Sequence, residues 1–149
     1  MTGRERAYAY HDVPPSDCPR DHWKRVEIHR PRELDRIVKD LTAEMEGRGY
    51  ARRHQFAVEL VLWEAVNNAI KHGHGGNTSR VVVLCFHVGP AEVLLELTDE
   101  GPGFDPYEVP DPLDDANLHR ASGRGLFLMR VYMTWIRFNL LCAPCRRDV

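Results

Sequence analysis

One helical segment, residues 54–72, constrains the folding of this 149-residue chain more than any other feature. Its apolar side chains point in nearly every direction around the helix axis: Phe56, Leu60, Val61, Leu62, Trp63, Val66, Ala69 and Ile70. A helix that is apolar all round is normally buried, and its polar residues then need partners. We therefore expect one domain in which other elements cover this helix.

Patterns on either side of the segment predict the elements that surround it. Polar and apolar residues alternate in the predicted strands, while Pro31 begins the first helix and glycines end it. The predicted strands are 25–29, 81–88, 92–98 and 135–139, and the other helices are 31–46 and 123–133. Gly89-Pro90 joins two of these strands as a hairpin, so the sheet should be mixed or antiparallel within an α/β fold.

Composition excludes several classes of protein. The chain has 20 Lys and Arg against 22 Asp and Glu, so it lacks the basic surface of a nucleic-acid-binding protein. No apolar run approaches the ~18 residues of a membrane-spanning helix, and the N-terminus lacks a signal-peptide core. We expect a cytoplasmic protein that binds neither nucleic acid nor membrane. Residues 1–22 should be a loose N-terminal extension, and residues 23–149 should be the folded domain.

The cysteines give little indication of metal or redox chemistry. Cys142 and Cys145 form a CxxC motif close to the end of the sequence. A zinc site would need a second pair of ligands, and a redox pair would need a following helix. We expect neither there.

Polar residues interrupt the central helix near its end. At about 100° per residue, Glu64, Asn67, Asn68 and Lys71 share one arc of the helix. Such an arc is often a solvated stripe, but one turn earlier the same arc is apolar, at Leu60 and Val61. A carboxylate and a carboxamide on a mostly buried face suit a proton acceptor and a hard metal ion.

A second polar site follows the strand at 92–98. Asp99 has the same parity as the apolar residues of that strand, so its side chain should point inward with them. Gly101 and Gly103 follow, and glycine lets a ligand approach the backbone closely. An inward carboxylate could accept a hydrogen bond from the amino group of a base. The alternative is an aspartate that only shapes the turn.

A third segment, Ser122 to Leu126, places Gly123 and Gly125 directly before an apolar helix. Free N–H groups and a partial positive charge at a helix N-terminus can hold phosphate. The motifs of P-loop and dinucleotide-binding proteins are absent, so this glycine pattern indicates little by itself.

Together, the three segments resemble a known family. Glu64 to Asn68 with His72-Gly73, then Asp99 to Gly103, then Gly123 to Leu126 resemble the N, G1 and G2 boxes of the Bergerat-fold (GHKL) ATPases. The resemblance covers residues 25–139. EAVNNAIKHG and SGRGLFLM are most similar to the bacterial anti-sigma-factor serine/threonine kinases.

This resemblance implies a two-layer α/β sandwich, with helices on one face of a mixed, largely antiparallel sheet. It implies that Glu64 orients or deprotonates the attacking hydroxyl, that Asn68 ligates Mg²⁺ bridging the phosphates, and that Asp99 binds the adenine amino group. A lid would span residues 103–122. The other residues that it places near ATP are Lys71, His72, Gly101, Gly103, Arg120, Gly123, Arg124, Gly125 and Leu126.

The implied activity is transfer of the γ-phosphoryl group of ATP to a Ser or Thr of a STAS-domain anti-anti-sigma protein. Family members also bind a sigma factor and often form dimers, so a homodimer is possible here. An alternative is a switch that binds ATP and partners without efficient transfer. A detached ATPase domain of a sensor histidine kinase is disfavoured, because 24 residues before Arg25 are too few for its phospho-acceptor helices.

Overall fold

The structure is a computed structural model that describes residues 20–73, 80–101, 124–133 and 136. The strands are β1 (Lys24–Ile28), β2 (Val82–Val88) and β3 (Val93–Thr98), and the helices are α1 (Leu34–Gly47), α2 (Arg52–Asn68) and α3 (Arg124–Tyr132). Short 3-10 turns lie at Arg20–His22 and Pro31–Glu33, and a π-helical turn, Ala69–Gly73, continues α2. The sequence predicted all six elements. The predicted strand at 135–139 lies outside the described residues except for Ile136.

The three strands form an antiparallel sheet in the order β1-β2-β3. In its register, Leu84 lies opposite Leu97 and Phe86 lies opposite Leu95. The Gly89 N–H donates to the Glu92 carbonyl at 2.8 Å and closes the predicted hairpin. The antiparallel sheet and its helices confirm the expected α/β fold.

The core lies between the sheet and the helices. Every second residue of β2 is buried, which is the pattern of a strand with one face in the core. The buried residues of β2 are Val82, Leu84, Phe86 and Val88. They pack with buried residues of β1, α1 and α2: Ile28, Leu34, Val38, Leu41, Met45, Val58, Leu62 and Val66. The opposite sheet face carries the ion pair Arg25–Glu27 at 2.9 Å beside the apolar residues Val83, Cys85 and Leu94. The helices therefore pack against the apolar face of the sheet.

Residues 20–22, which the sequence assigns to the N-terminal extension, contact the sheet. The Arg20 guanidinium lies 2.7 Å from the Glu96 carboxylate and 4.4 Å from the centre of the Trp23 ring. The pKa of Arg20 is raised, first by the hydrogen bond to Glu96. Residues 1–19 lie outside the described part of the chain. No helix within the described part is long and apolar enough to cross a membrane.

The central helix α2 is buried on only part of its surface. Val58, Leu62 and Val66 face the core, whereas Phe56 is 56% exposed and Leu60 and Trp63 are half-buried. The expectation of burial on all sides was therefore wrong. The sheet covers one side of the helix layer, and the neighbouring helices leave the outer face of α2 open to solvent.

Helix α1 ends in a Schellman motif. The Tyr50 N–H donates to the Met45 carbonyl at 3.0 Å, the Gly49 N–H donates to the Glu46 carbonyl at 2.9 Å, and Gly49 has φ +85°. The Tyr50 hydroxyl then donates to the Gly89 carbonyl at 2.6 Å, and burial raises the Tyr50 pKa. This motif fixes the direction in which the chain enters α2.

We predict opposite effects for alanine at the two glycines of this helix end. Gly49→Ala should lower the free energy of unfolding by about 1–2 kcal/mol, because a Cβ disfavours the left-handed backbone. Gly47→Ala should leave stability unchanged or raise it by up to about 1 kcal/mol, because Gly47 is helical with open space around it. Urea denaturation measures both. Equal effects would show that the backbone of Gly49 is not the cause.

Candidate functional site

The polar residues of α2 lie where the regular helix ends. Glu64, Asn67 and Asn68 are half-buried, and Asn68 is the last α-helical residue before the π turn. Turns of this kind often occur at functional sites, and here the turn accompanies two successive asparagines, which are poor helix formers. Lys71 lies within the π turn and is exposed. The prediction that Lys71 lies on the same arc of the helix as Glu64 assumed regular α-helical spacing, which ends at Asn68.

The start of α3 packs directly against these residues. A Cβ placed on Gly125 would lie 2.5 Å from Glu64 Oε2 and 3.1 Å from Asn68 Nδ2. An alanine here would force the Glu64 carboxylate, which is the end of a flexible side chain, to move away. The structure thus brings together Glu64, Asn68 and Gly125, which the sequence placed in two separate motifs.

An apolar cluster holds the two helices together beside this contact. Val61 of α2 and Met129 of α3 are buried against each other, and Ala65, Leu95, Met133 and Ile136 pack around them. Further along, the Phe56 and Tyr132 rings meet edge to face with centroids 6.2 Å apart. The first turn of α3 therefore lies near the end of α2, and the end of α3 lies near the start of α2. The two helices are antiparallel.

This arrangement suits a bound metal–phosphate group. The half-buried Asn68 amide offers an oxygen ligand, the Glu64 carboxylate offers a proton acceptor, and the N-terminus of α3 supplies N–H groups and partial positive charge. No group of three or more His, Cys, Asp or Glu among the described residues could hold a metal ion alone. Mg²⁺ usually takes one or two protein ligands and completes its shell with phosphate and water. The residues present fit that mode.

Two acidic residues of the loop after β3 accept backbone hydrogen bonds that fix its conformation. Asp99 is half-buried, and its Oδ1 accepts the N–H of the buried Gly101 at 2.7 Å. Glu100 Oε2 accepts the Val81 N–H at 3.1 Å, which joins this loop to the start of β2. Asp99 therefore does shape the turn, and its role toward adenine stays a prediction. The role of Glu100 was not predictable from the sequence, because an exposed acidic residue in a loop carries no distinctive signal.

The remaining predicted site residues divide into two groups. His72 lies in the π turn, and Arg124 and Leu126 lie in the first turn of α3, beside Gly125. Gly103, Arg120 and Gly123 lie outside the described residues, as does the whole of the predicted lid at 103–122.

Comparison with known proteins agrees with this geometry. The model of the histidine kinase-like ATPase domain family matches residues 29–140, and the chain belongs to this family. It is 30% identical over 122 residues to the serine-protein kinase RsbW of Listeria innocua, covering 66% of this chain and 76% of the relative. The resemblance inferred from the three motifs is thereby confirmed.

Two further relatives match shorter segments. The serine/threonine-protein kinase BtrW of Bordetella bronchiseptica is 32% identical over 89 residues, covering 56% of this chain and 61% of the relative. An anti-sigma F factor of Bacillus thuringiensis is 39% identical over 79 residues, with coverages of 51% and 53%. The matched segments thus span about half to three quarters of these relatives. Their names support the prediction of a protein serine/threonine kinase.

We predict that Gly125→Ala is more destabilising when Glu64 is present than when it is absent. The added methyl group should displace the Glu64 carboxylate. In a Glu64→Ala background the cost should be smaller, because only the 3.1 Å contact with Asn68 Nδ2 then remains. A double-mutant cycle on the free energy of unfolding should give a coupling of about 0.5–3 kcal/mol. Additive effects would contradict the contact.

Proposed function

We propose that this member of the family is an ATP-dependent serine/threonine protein kinase that acts as an anti-sigma factor. Its substrate would be a Ser or Thr of a STAS-domain anti-anti-sigma protein, and it would also bind a sigma factor. The relatives named serine-protein kinase and anti-sigma F factor support both parts of this proposal. We place this activity in the cytoplasm and assign it to residues 23–149.

The packing of Gly125 against Glu64 and Asn68 is the observation that carries the proposal. Phosphoryl transfer depends mainly on positioning and on neutralising charge, with little covalent chemistry from the protein. The half-buried Glu64 carboxylate would accept the proton of the attacking hydroxyl. The hydroxyl oxygen would bond to the γ-phosphorus, and ADP would leave with the bridging oxygen. Asn68 would hold Mg²⁺, which supplies charge neutralisation at the phosphates when it is bound.

The other contacts to the nucleotide follow from the remaining motifs. Asp99 would accept a hydrogen bond from the adenine amino group, with Gly101 and Gly103 beside the base. Gly123, Gly125 and the N–H groups of the first turn of α3 would contact the phosphates. Lys71, His72, Arg120, Arg124 and Leu126 complete the proposed nucleotide contacts. Residues 103–122 would form the lid.

A second candidate function is a switch in which bound ATP controls partner affinity without efficient phosphoryl transfer. Glu64 distinguishes the two candidates, since a switch needs no proton acceptor. Its half-burial beside Gly125 and Asn68 favours the kinase.

We predict that Asp99→Asn weakens ADP binding by about 10- to 150-fold, the equivalent of one lost charge-assisted hydrogen bond. Asparagine keeps an oxygen that can accept the Gly101 N–H, so the turn should survive. Calorimetry with ADP measures the affinity, and Glu96→Gln, an exposed position on β3, is the matched control. Unchanged affinity in the folded Asp99 variant would remove this residue from the adenine pocket.

We predict that Glu64→Gln and Asn68→Ala fail at different steps. Glu64→Gln keeps its shape but loses the proton acceptor, so ATP should bind while transfer falls by about 10²–10⁴-fold. Asn68→Ala should weaken Mg-ATP binding itself, because a metal ligand acts in the ground state. The measurements are ATP affinity and phosphorylation of a STAS-domain partner. Wild-type transfer by Glu64→Gln would refute the catalytic role and favour the switch.

A further inference from the structure

A cavity of about 290 Å³ lies where β1 begins, between the sheet and the end of α1. Lys24, the first residue of β1, pairs with Phe86, so the last two residues of β2 extend past β1 and form one wall. Pockets for drug-sized ligands usually measure about 300–1,000 Å³, so this cavity suits a smaller ligand than a nucleotide. Beside the buried Phe86 and Val88, its lining consists of titratable side chains: His22, Lys24, Glu44, Arg48 and His87.

The charges around this cavity do not balance. Lys24 Nζ lies 2.6 Å from the Glu44 carboxylate, so these two charges offset each other. Arg48 is exposed, and no ion pair among the described residues involves it. One carboxylate in the lining thus faces two permanent cations and two imidazoles. A concave surface with an excess of positive charge attracts anions.

The two histidines can add to this positive charge. His87 Nδ1 lies 3.3 Å from the His22 carbonyl oxygen, and the two rings lie 6.4 Å apart. A carbonyl oxygen only accepts hydrogen bonds, so Nδ1 of His87 carries the proton and Nε2 is left to take a second one. On the same sheet face, Arg20 and Glu96 are paired at 2.7 Å and offset each other. Because imidazoles change charge between pH 5 and 8, acidification should strengthen anion binding here.

The arrangement of the donors favours a phosphate group over a carboxylate. Lys24 comes from the start of β1, Arg48 from the end of α1 and His87 from the end of β2, so the donors approach from three elements. A carboxylate presents two oxygens in one plane, whereas a phosphate monoester presents three acceptor oxygens in different directions. Arginine binds phosphate through paired hydrogen bonds, and lysine binds it as a point charge.

We propose that this cavity is a binding site for a phosphate monoester, separate from the nucleotide site. Arg48 donates to the phosphate oxygens, Lys24 is shared between Glu44 and the ligand, and the imidazoles donate when they are protonated. Arg48 lies near the start of α2, whereas the proposed nucleotide site lies at the end of that helix, about 24 Å along its axis. The ester can be a free small molecule or a phosphorylated protein side chain, since both present the same group.

Two residues one helical turn apart should have opposite effects on binding, which NMR titration with inorganic phosphate at constant ionic strength measures. The wild-type chain should bind saturably, with a dissociation constant of about 1 mM or below. Arg48→Gln should weaken binding about fivefold or more, because a charged donor is lost. Glu44→Gln should strengthen it about two- to fivefold, because it removes a repelling carboxylate and releases Lys24. Arg36→Gln and Glu46→Gln, the same changes at exposed positions of α1, should have no effect.

Other anions test the chemistry of the site. Sulfate keeps both negative charges across the range in which imidazoles titrate, so its binding should tighten about two- to fivefold from pH 8 to pH 6. His87→Gln should reduce that gain. Succinate should bind at least about fivefold more weakly than phosphate, because it lacks the third oxygen on one centre. O-phosphoserine, free and within a short peptide, distinguishes the two sources of the ester: the tighter of the two identifies a small molecule or a phosphorylated protein.

Several results would overturn the proposal. These are the absence of saturable phosphate binding, succinate binding as tight as phosphate, sulfate binding that does not depend on pH, and phosphate binding that neither Arg48→Gln nor Glu44→Gln changes. Circular dichroism checks that each variant is folded. ATP affinity should be the same in the Arg48 variant as in the wild type, so failure here would leave the kinase proposal intact.

Discussion

The close approach of the first turn of α3 to the end of α2 is the contact on which the candidate site depends. Gly125 lets the Glu64 carboxylate keep its place in this contact, because a Cβ on Gly125 would lie 2.5 Å from that carboxylate and displace it. The contact also requires that the two helices be held together by apolar packing, which Val61 and Met129 supply. Leu95 of β3 packs against both this cluster and the main core, so the position of the site is tied to the sheet.

The polar residues at the end of α2 lower the stability of the helix, and packing alone does not explain why they are there. Two half-buried asparagines are unfavourable in a helix, and the regular helix gives way to a π turn immediately after them. Local departures from good helix sequence that lack a structural gain are expected mainly at functional sites. The proposed binding of Mg-ATP would supply that gain, because Asn68, which is unfavourable in the helix, would ligate the metal ion.

The sequence predicted the six elements because each carries its own periodicity or a glycine or proline boundary. Periodicity gives the direction of a side chain but not the number of layers around a helix, so the exposure of Phe56 was not predictable. No local pattern revealed the π turn that contains Lys71, so its direction could not be predicted from regular helix spacing. The contact between Glu64 and Gly125 joins residues 61 positions apart. Only the resemblance of the ordered motifs to a family indicated that they meet.

The antiparallel packing of α2 and α3 separates two kinds of chemistry on one pair of helices. At one end, glycine and short polar side chains allow close backbone approach, which suits a charged ligand. At the other end, the aromatic rings of Phe56 and Tyr132 meet in solvent beside an uncapped, cationic helix start. Phe56 precedes Asn68 by twelve residues, or about 18 Å along the helix, so the aromatic end lies well away from the proposed nucleotide site. The Val61–Met129 contact lies between the two ends. A change in the angle between the two helices would therefore move the residues at both ends.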